Sequence, residues 1–514
     1  MSAAPQEARA AFDFLVKGER AGRSLAAIST QASDTVLTSW LELFANATLA
    51  QRGYRRCSRT TLDPDGRPVA FVCADSLGNA FALTQAEIGA VDLVLEPNMV
   101  GALALWVEPR LARADEGVSL DAFACDPAVT FPIRFRRDAR GWSCSTGDTL
   151  LCGAQGRIET LITRIQEMRF ERVRFGRRPA WDVERLGAAE VRGEPQRTAP
   201  RPAVGAGAVE RRDGVLDAGG EKRLDCTLAL PRERPPFARA LFLGGSGMHD
   251  RHGRSGDLLI GYDVLLDGLA AHGLASLRFD RYGGLETPQS VDALGFDAVV
   301  ADACAALDAL HGQTTQAPTL LVGHSFGGLL ALAVAARRAD VDAIALIATP
   351  GRPVSEVVRQ QLDGVAGHMA LSSVSRRRLA ADQDTMRRIL LGEDTTPEER
   401  ESAAGLLLRK RRLTADMLAL NPAELVAASA QPLLLVHPTS DFQVFEADIE
   451  ALRTTAAARG RPTTLLRLEG HNHLLRLAGG AGYGEFARYF DRRRRIPNRT
   501  IVRIARALQE LACR

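Results

Sequence analysis

Short apolar runs alternate with longer stretches of helical periodicity in the second part of the chain. The runs predict strands over 241–243, 274–279, 319–324 and 341–348, and the stretches between them predict helices over 256–271, 291–310 and 326–338. A strictly alternating segment, 224–231, predicts one further strand at the start. Such alternation of strand and helix indicates an α/β fold with a mainly parallel sheet covered by helices on both faces.

The first two hundred residues carry a weaker pattern. Apolar residues in 5–52 recur at roughly helical intervals and predict helices there. The segments 66–75 and 79–83 alternate and predict strands, whereas the spacing of apolar residues over 158–168 predicts another amphipathic helix. We interpret residues 1–191 as an α+β accessory domain of unknown role, since no set of residues in it assembles a catalytic group.

A change of composition separates the two parts. Residues 192–208 are rich in Pro, Gly and Arg and have no apolar period, so they predict a linker. The second domain is therefore expected to span 209–514.

The sequence Gly323-His324-Ser325-Phe326-Gly327-Gly328 lies between a predicted strand and a predicted helix. In that context Gly-x-Ser-x-Gly is typical of a nucleophile elbow, a tight turn that puts the serine in an unfavourable backbone conformation and exposes its hydroxyl. Gly323 and Gly327 are needed because a side chain at either position would collide with the neighbouring strand or helix. The helix N-terminus favours negative charge near Ser325. A purely structural Gly-rich turn is the alternative.

A serine nucleophile needs a general base and a carboxylate that orients the base. Both follow downstream, each just after a predicted strand, in the order Ser, Asp, His that accompanies this elbow. Asp441 lies in the turn after the apolar run 432–436, and two histidines follow the run 463–468. We favour His473 over His471 as the base because it stands three residues past a glycine, the loop length that usually delivers the base. Two ordinary surface-loop histidines are the alternative.

Two backbone N–H groups must also face the negative oxygen that develops when a carbonyl is attacked. One is predicted from Phe326, directly after the serine, and the other from Ser246 in the Gly-rich turn 244–247. A phosphate-binding glycine loop is the rival interpretation of that turn. It is weak, because the sequence has neither the Lys-Ser/Thr pair nor an acidic ribose partner in register.

These motifs resemble those of the α/β-hydrolase superfamily, in particular a bacterial branch of esterases and serine-aminopeptidase-like hydrolases. The segment 243–251 resembles the Gly-Ser-Gly-x-x-Asp-Arg oxyanion segment of that branch, and 277–284 resembles its Arg-x-Asp-x-Arg-Gly strand and loop. The segments 348–353 and 472–476 are further matches. The resemblance covers about 209–490 and implies the α/β-hydrolase fold with a Ser-His-Asp triad.

The resemblance also implies a role for residues 351–420, which show no strand pattern. A connection of that length is usually functional or has helices of its own, and this fold commonly carries a helical lid there. A packing element away from the site is the alternative. The sequence departs from the branch at Met248-His249 and at His437-Pro438, and both departures leave the shape of the acyl pocket open. The strand-and-loop segment 277–284 also contains an extra Tyr282.

Composition narrows the classes of partner. The 514 residues have a net charge of +3, with basic residues scattered among acidic ones, so nucleic acid is not an expected partner. The run 492–495 is read as the solvated end of a C-terminal helix in preference to a phosphate-binding patch. No apolar run of 18 residues predicts a membrane span, and the first residues lack the form of a signal peptide. Eight cysteines without a Cys-x-x-Cys pair indicate reduced thiols in a cytoplasmic protein, without a zinc or redox motif.

The sequence thus predicts a serine hydrolase that cleaves a carboxylic ester of a small-molecule acyl substrate through an acyl-enzyme intermediate, with no metal or organic cofactor. Peptidase or amidase, thioesterase and acyltransferase activities use the same triad and stay open. Dehalogenase and epoxide hydrolase chemistry would need a carboxylate in place of Ser325. A non-catalytic binding protein of the α/β-hydrolase fold is a further alternative, and a homo-oligomer stays open.

Overall fold

The structure is a computed structural model of the chain. It describes residues 8–16, 19–31, 34–43, 55–75, 80–95, 99–125, 128–138, 141–144, 149–152, 157–162, 169–179, 181–183, 208–219, 222–247, 249–255, 258–281, 293–314, 316–368, 373–390, 392–400, 412–480, 482–490 and 494–513. The chain divides into two compact units. The first comprises Met1–Gln196, Glu286–Ala293 and Met369–Arg412, and the second comprises Arg197–Leu285, Leu294–His368 and Leu413–Arg514. The predicted linker, 192–208, lies outside the described residues except for its last residue.

The first unit is dominated by strands. Its described strands are β1 Ala8–Val16, β2 Glu19–Gln31, β3 Asp34–Leu43, β4 Arg55–Leu62, β5 Pro68–Asp75, β6 Ala80–Thr84, β7 Leu93–Leu95, β8 Gly117–Cys125, β9 Ala128–Asp138, β10 Gly141–Cys144, β11 Thr149–Cys152, β12 Ile158–Ile162 and β13 Arg169–Arg172, with helices α1 Gln85–Ile88 and α2 Val100–Leu111. These strands form one sheet in the order β6-β5-β4-β3-β2-β1-β13-β12-β11-β10-β9-β8-β7. Among the described strands of the first unit, only β7 and β8 pair in parallel.

Helix α2 covers one face of this sheet. Its residues Trp106 and Val107 are buried in a cluster that includes Phe12 of β1. The helix approaches β2 closely at Gly101, whose N–H donates to Ser24 Oγ at 3.0 Å and whose missing Cβ would lie 2.9 Å from the Ala26 nitrogen. The core of the first unit therefore lies between α2 and the centre of the sheet.

The helices predicted over 5–52 are wrong: the described part of this segment forms β1, β2 and β3. The reason is that β1 is buried on both faces. Phe12 packs into the cluster under α2, while Ala11 joins a second cluster with Trp40 on the opposite face. A strand covered on both faces loses its alternation of apolar and polar residues and cannot be told from a helix by period.

The helix predicted over 158–168 is also wrong in its described part, which is strand β12. A β-bulge explains the misleading spacing. Cys152 pairs with Ile158 and Leu151 pairs with Thr160, so that Glu159 is an extra residue in the ladder. An extra residue shifts the alternation by one position, and Ile158 and Leu161 both enter the same core cluster although they are three residues apart. The strands predicted over 66–75 and 79–83 are present as β5 and β6.

From residue 208 onward strands and helices alternate. The strands are β14 Val209–Asp217, β15 Arg223–Pro231, β16 Ala238–Leu243, β17 Arg254–Ser255, β18 Leu258–Leu259, β19 Leu274–Phe279, β20 Thr319–His324, β21 Ala343–Ile347, β22 Leu433–Pro438 and β23 Thr463–Leu468. The helices are α3 Tyr262–Ala271, α4 Phe296–Gln313, α5 Phe326–Ala335, α6 Val354–His368, α7 Ser373–Leu390, α8 Pro397–Arg400, α9 Arg412–Ala419, α10 Pro422–Ala427, α11 Glu446–Ala458 and α12 Asn498–Ala512, with a 3₁₀ helix over Gly482–Phe490.

Eight of these strands form the sheet of the second unit, in the order β14-β15-β19-β16-β20-β21-β22-β23. From β19 to β23 every neighbouring pair is parallel, and β14 and β15 run antiparallel at one edge. The predicted strands 274–279 and 319–324 are reproduced without change. The helix predicted over 256–271 begins later, at Tyr262, because Arg254-Ser255 and Leu258-Leu259 pair as a short hairpin.

The parallel strands are apolar and fully buried. In register, Leu241 of β16 faces Leu321 of β20, and Ile344 of β21 faces Leu433 of β22, all with no exposed surface. Helix α12 closes the core with Ile504 and its apolar neighbours. The carboxyl ends of β20 to β23 consequently lie along one edge of the sheet, and the loops that follow them carry the residues described next.

Candidate functional site

Ser325 occupies the tight turn between β20 and α5. Its backbone has φ 54° and ψ −125°, in the left-handed region of φ that an L-residue avoids unless the surroundings impose it. The Ser325 N–H donates to the Ile347 carbonyl at 2.8 Å, and the Ser325 carbonyl accepts the Gly328 N–H at 2.9 Å. The turn is therefore tied both to the neighbouring strand β21 and to the first turn of α5.

Glycines permit this turn by leaving room for backbone. A Cβ on Gly327 would collide with the carbonyl oxygens of Leu243 and Gly244, at the end of β16. A Cβ on Gly323 would collide with the backbone of Gly327. The reason predicted from the sequence for these two glycines agrees with the contacts that the structure gives them.

Asp441 and His473 are brought together from two different loops. Asp441 follows β22 and His473 follows β23, and His473 Nδ1 lies 2.7 Å from Asp441 Oδ2. The Asp441 side chain has no exposed surface. Its other oxygen, Oδ1, accepts the N–H groups of Gln443 at 2.7 Å and Val444 at 3.1 Å. A buried carboxylate with these donors is fixed in place, and it holds His473 with Nδ1–H as donor and Nε2 as the free position.

His471 has different partners. Its Nδ1 faces the Glu469 carbonyl at 2.8 Å, and its Nε2 faces Thr500 Oγ1 on helix α12 at 2.7 Å. Burial lowers the pKa of His471, which favours the neutral ring. His471 thus joins the loop after β23 to α12, whereas His473 meets Asp441.

The residue between the two histidines fixes the loop itself. Asn472 Oδ1 accepts the N–H groups of Leu474 and Arg476, each at 3.1 Å, and Asn472 Nδ2 donates to Glu485 Oε1 at 3.1 Å. Leu475 has φ 59°, one of three positive values at described non-glycine residues. The loop that presents His473 is therefore held by internal hydrogen bonds in a single strained conformation.

The Gly-rich turn after β16 lies next to Ser325. A Cβ added to Gly245 would stand 3.3 Å from the Ser325 Cβ, and Ser246 follows directly as an exposed residue. Phe326 is the first residue of α5, where N–H groups have no partner within the helix. The structure thus brings both predicted oxyanion donors to the neighbourhood of the serine.

A buried cation stands beneath this turn. Arg281 donates to the Gly244 carbonyl, and its guanidinium lies 5.6 Å from the centre of the Phe326 ring. Positive charge at this place and the N-terminus of α5 both favour negative charge near the two predicted donors.

Two residues of the site have no counterpart in the predictions. His324, the residue before Ser325, places Nε2 2.9 Å from the His473 carbonyl oxygen and Nδ1 3.0 Å from the Tyr262 hydroxyl. The Tyr262 hydroxyl also accepts the Gly245 N–H at 2.8 Å. His324 was visible in the motif only as its variable position, and nothing in the sequence around Tyr262 marks it.

Within the part of the chain that the structure describes, no group of three or more His, Cys, Asp or Glu side chains is arranged to hold a metal ion. Among the described residues, none of the helices combines the length and the apolar character needed to cross a membrane.

Comparison with known proteins finds a family model and a curated relative that match part of the chain. Residues 246–472 match the family model described as serine aminopeptidase, S33. Esterase EstD of Thermotoga maritima is 25% identical over 279 residues, which are 54% of this chain and 64% of that protein. The chain thus aligns with less than two thirds of the length of this curated relative.

Two solved structures resemble part of this chain only remotely. The esterase domain of a Rhodothermus marinus protein is 24% identical, with 55% of this chain and 99% of that chain covered and a TM-score of 0.33. Est1E from Butyrivibrio proteoclasticus is 17% identical, with 51% and 90% covered and a TM-score of 0.34. Likenesses at these TM-scores carry no argument about function.

The matching family model is described as a serine aminopeptidase and the curated relative is an esterase. The resemblance to the esterase-like branch of the α/β-hydrolases, predicted from the sequence, is thereby confirmed.

Proposed function

We propose that this protein is a carboxylic ester hydrolase in which Ser325 is the nucleophile, His473 the general base and Asp441 the residue that orients the base. The observation that carries the proposal is the 2.7 Å hydrogen bond between His473 Nδ1 and Asp441 Oδ2, on a loop bonded to the residue before Ser325. Surface histidines would not be buried against a carboxylate in this way, and here both side chains are almost fully buried.

The chemistry follows from the proton positions. With Nδ1–H donated to Asp441, His473 Nε2 is free to take the proton from Ser325 as its oxygen attacks the ester carbonyl. Asp441 then stabilises the imidazolium. The N–H groups of Ser246 and Phe326 bind the oxyanion, each contributing about 3–4 kcal/mol to the transition state. His473 returns the proton to the leaving alcohol, and water activated by His473 releases the acyl group.

Amide cleavage is the second candidate, because the matching family model is described as a serine aminopeptidase. The same three residues serve either leaving group, so that the difference lies in the surroundings of the scissile bond. Thioester hydrolysis and acyl transfer use the same acyl-enzyme. A panel of p-nitrophenyl esters, aminoacyl amides and acyl thioesters separates these activities by relative kcat/KM.

We also propose that part of the segment 351–420 borders the active site as a lid. Helix α6 supports this at its middle, where Gln361 Nε2 donates to the Gln443 carbonyl at 2.7 Å, and Gln443 is a neighbour of Asp441 in the same loop. At its start, the Val354 N–H donates to the Leu420 carbonyl at 3.1 Å, which joins the two ends of the segment. Gln361→Ala should alter KM for longer acyl groups more than for acetate esters.

The test of the enzyme is covalent labelling. An active-site-directed fluorophosphonate should add to Ser325 of the full chain, as identified by peptide mass spectrometry, and the Ser325→Ala variant is the matched control. Folded protein that reacts at no residue and cleaves no member of the panel would support the alternative of a binding protein of the same fold.

A further inference from the structure

A chain of hydrogen bonds joins the turn after β16 to the loop after β23. It begins at the Gly245 N–H, passes through the Tyr262 hydroxyl and the His324 ring, and ends at the His473 carbonyl oxygen, with separations of 2.8, 3.0 and 2.9 Å. The two ends belong to the loops that carry the proposed oxyanion donor and the proposed base. The middle residues belong to helix α3 and to the elbow itself.

One arrangement of protons satisfies every donor and acceptor in this series of hydrogen bonds. The His473 carbonyl can only accept, so His324 must carry its proton on Nε2. His324 Nδ1 is then an acceptor, which requires the Tyr262 hydroxyl to donate to it. The Tyr262 oxygen in turn accepts the Gly245 N–H. Each hydrogen bond therefore fixes the direction of the next, and the tautomer of His324 follows from its partners.

The surroundings keep both side chains in these protonation states. His324 and Tyr262 are each 3% exposed. Burial lowers the pKa of His324 to about 3, so its ring stays neutral, and burial raises the pKa of Tyr262 to about 12, so its hydroxyl stays protonated. Their rings also contact each other edge to face, with centroids 5.6 Å apart. The His324 and His473 rings are tilted by 53° to each other, with centroids 4.8 Å apart.

The turn at which this series of hydrogen bonds begins, residues 244–247, has little freedom. Besides its N–H, Gly245 has its carbonyl oxygen 3.1 Å from His249 Nε2, while His249 Nδ1 lies 3.0 Å from the Asp250 carbonyl oxygen. A Cβ at this position would stand 3.3 Å from the Tyr262 oxygen, from His324 Nδ1 and from the Ser325 Cβ. Gly245, the residue before Ser246, is therefore placed by the hydrogen bond to Tyr262 and by close packing against His324 and Ser325.

We propose that Tyr262 and His324 are positioning residues that hold the oxyanion turn and the base loop at a fixed separation on either side of Ser325. This rests on the proposed function of the same site. The physical reason is that both loops must act on one carbonyl group at the same time. A displacement of about 1 Å between reacting groups costs on the order of a hundredfold in rate, and supporting hydrogen bonds are what limit such displacement.

The first measurement is independent of any substrate. In the full-length protein, the His473 Nδ1 proton, donated to Asp441, should give a strongly downfield proton resonance, to be assigned by its loss in Asp441→Asn. We expect Tyr262→Phe and His324→Leu to shift or broaden this resonance. His324→Gln should restore it, because the Gln amide can still donate to the His473 carbonyl. His311→Leu is the matched control. His311 bonds Thr319 Oγ1 on β20, the strand that ends at His324, but takes no part in the series of hydrogen bonds from Gly245 to His473.

The second measurement is kinetic. On a small p-nitrophenyl ester we expect Tyr262→Phe and His324→Leu to lower kcat by about ten- to a hundredfold with KM within about twofold, as positioning residues should. The double variant should be no slower than His324→Leu alone, since both changes break one chain. Additive losses would mean two separate packing effects and would overturn the proposal.

The two proposals fail in different ways. If wild-type protein neither labels nor turns over, the proposed function is wrong, and the His473 resonance still decides whether the hydrogen-bond chain positions the loop. If wild-type protein is active and Tyr262→Phe leaves both the resonance and kcat unchanged, the positioning role is wrong. Should His324→Leu fail to fold, Tyr262→Phe gives the decision, because it removes one oxygen and keeps the ring.

Discussion

The two sheets of this protein differ in where they can carry chemistry. The sheet of the first unit is antiparallel in its described pairings except for β7 with β8, so its strand ends alternate between two edges. In the second unit β16 and β19 to β23 run parallel, and their carboxyl ends collect at one edge. Ser325, Asp441 and His473 all come from that edge.

The histidines follow the same division. All nine histidines of the chain lie between His249 and His473, in the second unit, and the first unit has none. In the first unit the partly buried Glu108 of α2 is paired: it bonds Arg172 of β13 and accepts the Ile158 N–H at 2.9 Å. The comparison teaches that sheet direction, more than the number of polar residues, decides where loops from distant parts of the chain meet.

The largest effect should come from the nucleophile. Ser325→Ala should lower kcat on an activated ester on the order of a millionfold, because the three triad residues act as a unit. The folded state should be retained, as judged by circular dichroism and thermal unfolding. A variant that keeps a tenth of wild-type turnover would show that the chemistry lies elsewhere.

The two loop histidines sharpen the comparison within the second unit. His473→Ala should be nearly as damaging to kcat as Ser325→Ala, since it removes the proposed base. His471→Ala should cost far less turnover but should lower stability by about 1–3 kcal/mol, because it leaves the Thr500 hydroxyl unpartnered in a buried site. Urea unfolding and ester kinetics on both variants measure this, and a reversal of the two outcomes would exchange their roles.

A core change in the first unit should lower stability and leave turnover unchanged. Phe12→Ala removes a fully buried ring beneath α2 and should destabilise that unit by about 3–5 kcal/mol. We expect kcat on a small ester to stay within about twofold of wild type. Thermal unfolding and esterase activity, followed together, test this. If activity is lost together with the unfolding of the first unit, turnover in the second unit depends on the first and this prediction is wrong.

Acid should act mainly on the second unit. Burial lowers the pKa of His252 to about 4 and that of His324 to about 3, from an ordinary value of 6.5. Between pH 6.5 and 4 the unfolded chain therefore binds protons that the folded unit does not, and stability falls as the pH is lowered. Thermal unfolding at pH 7 and pH 5 should show this loss, smaller in His324→Gln. An equal loss in that variant would exclude His324 as its source.

The smallest effect is expected from removing the first unit's strands altogether. A fragment of residues 209–514 contains all the proposed site residues and should keep turnover on a small activated ester. Solubility, oligomeric state or activity on the natural substrate can change. A folded fragment without turnover, beside an active full-length protein, would show that the first 208 residues complete the site.

The elbow was readable because its requirements are local. Gly323, Ser325 and Gly327 serve a turn whose geometry depends on adjacent backbone, so the motif and its flanking apolar runs sufficed. The parallel strands were readable because burial on both faces makes them continuous apolar runs. In β1 the same two-sided burial, within the long segment 5–52, produced the wrong prediction of a helix.

The sequence by itself determined the order of strand and helix in the second unit and the candidate residues Ser325, Asp441 and His473. It could only favour one of two neighbouring histidines. The choice between them depends on which ring reaches Asp441 across 32 residues of chain, and it is made by the tertiary structure through Thr500 and the loop hydrogen bonds. The series of hydrogen bonds through Tyr262 and His324 could not be predicted for the same reason. Hydrogen bonds between residues distant in sequence produce no periodicity and no local motif.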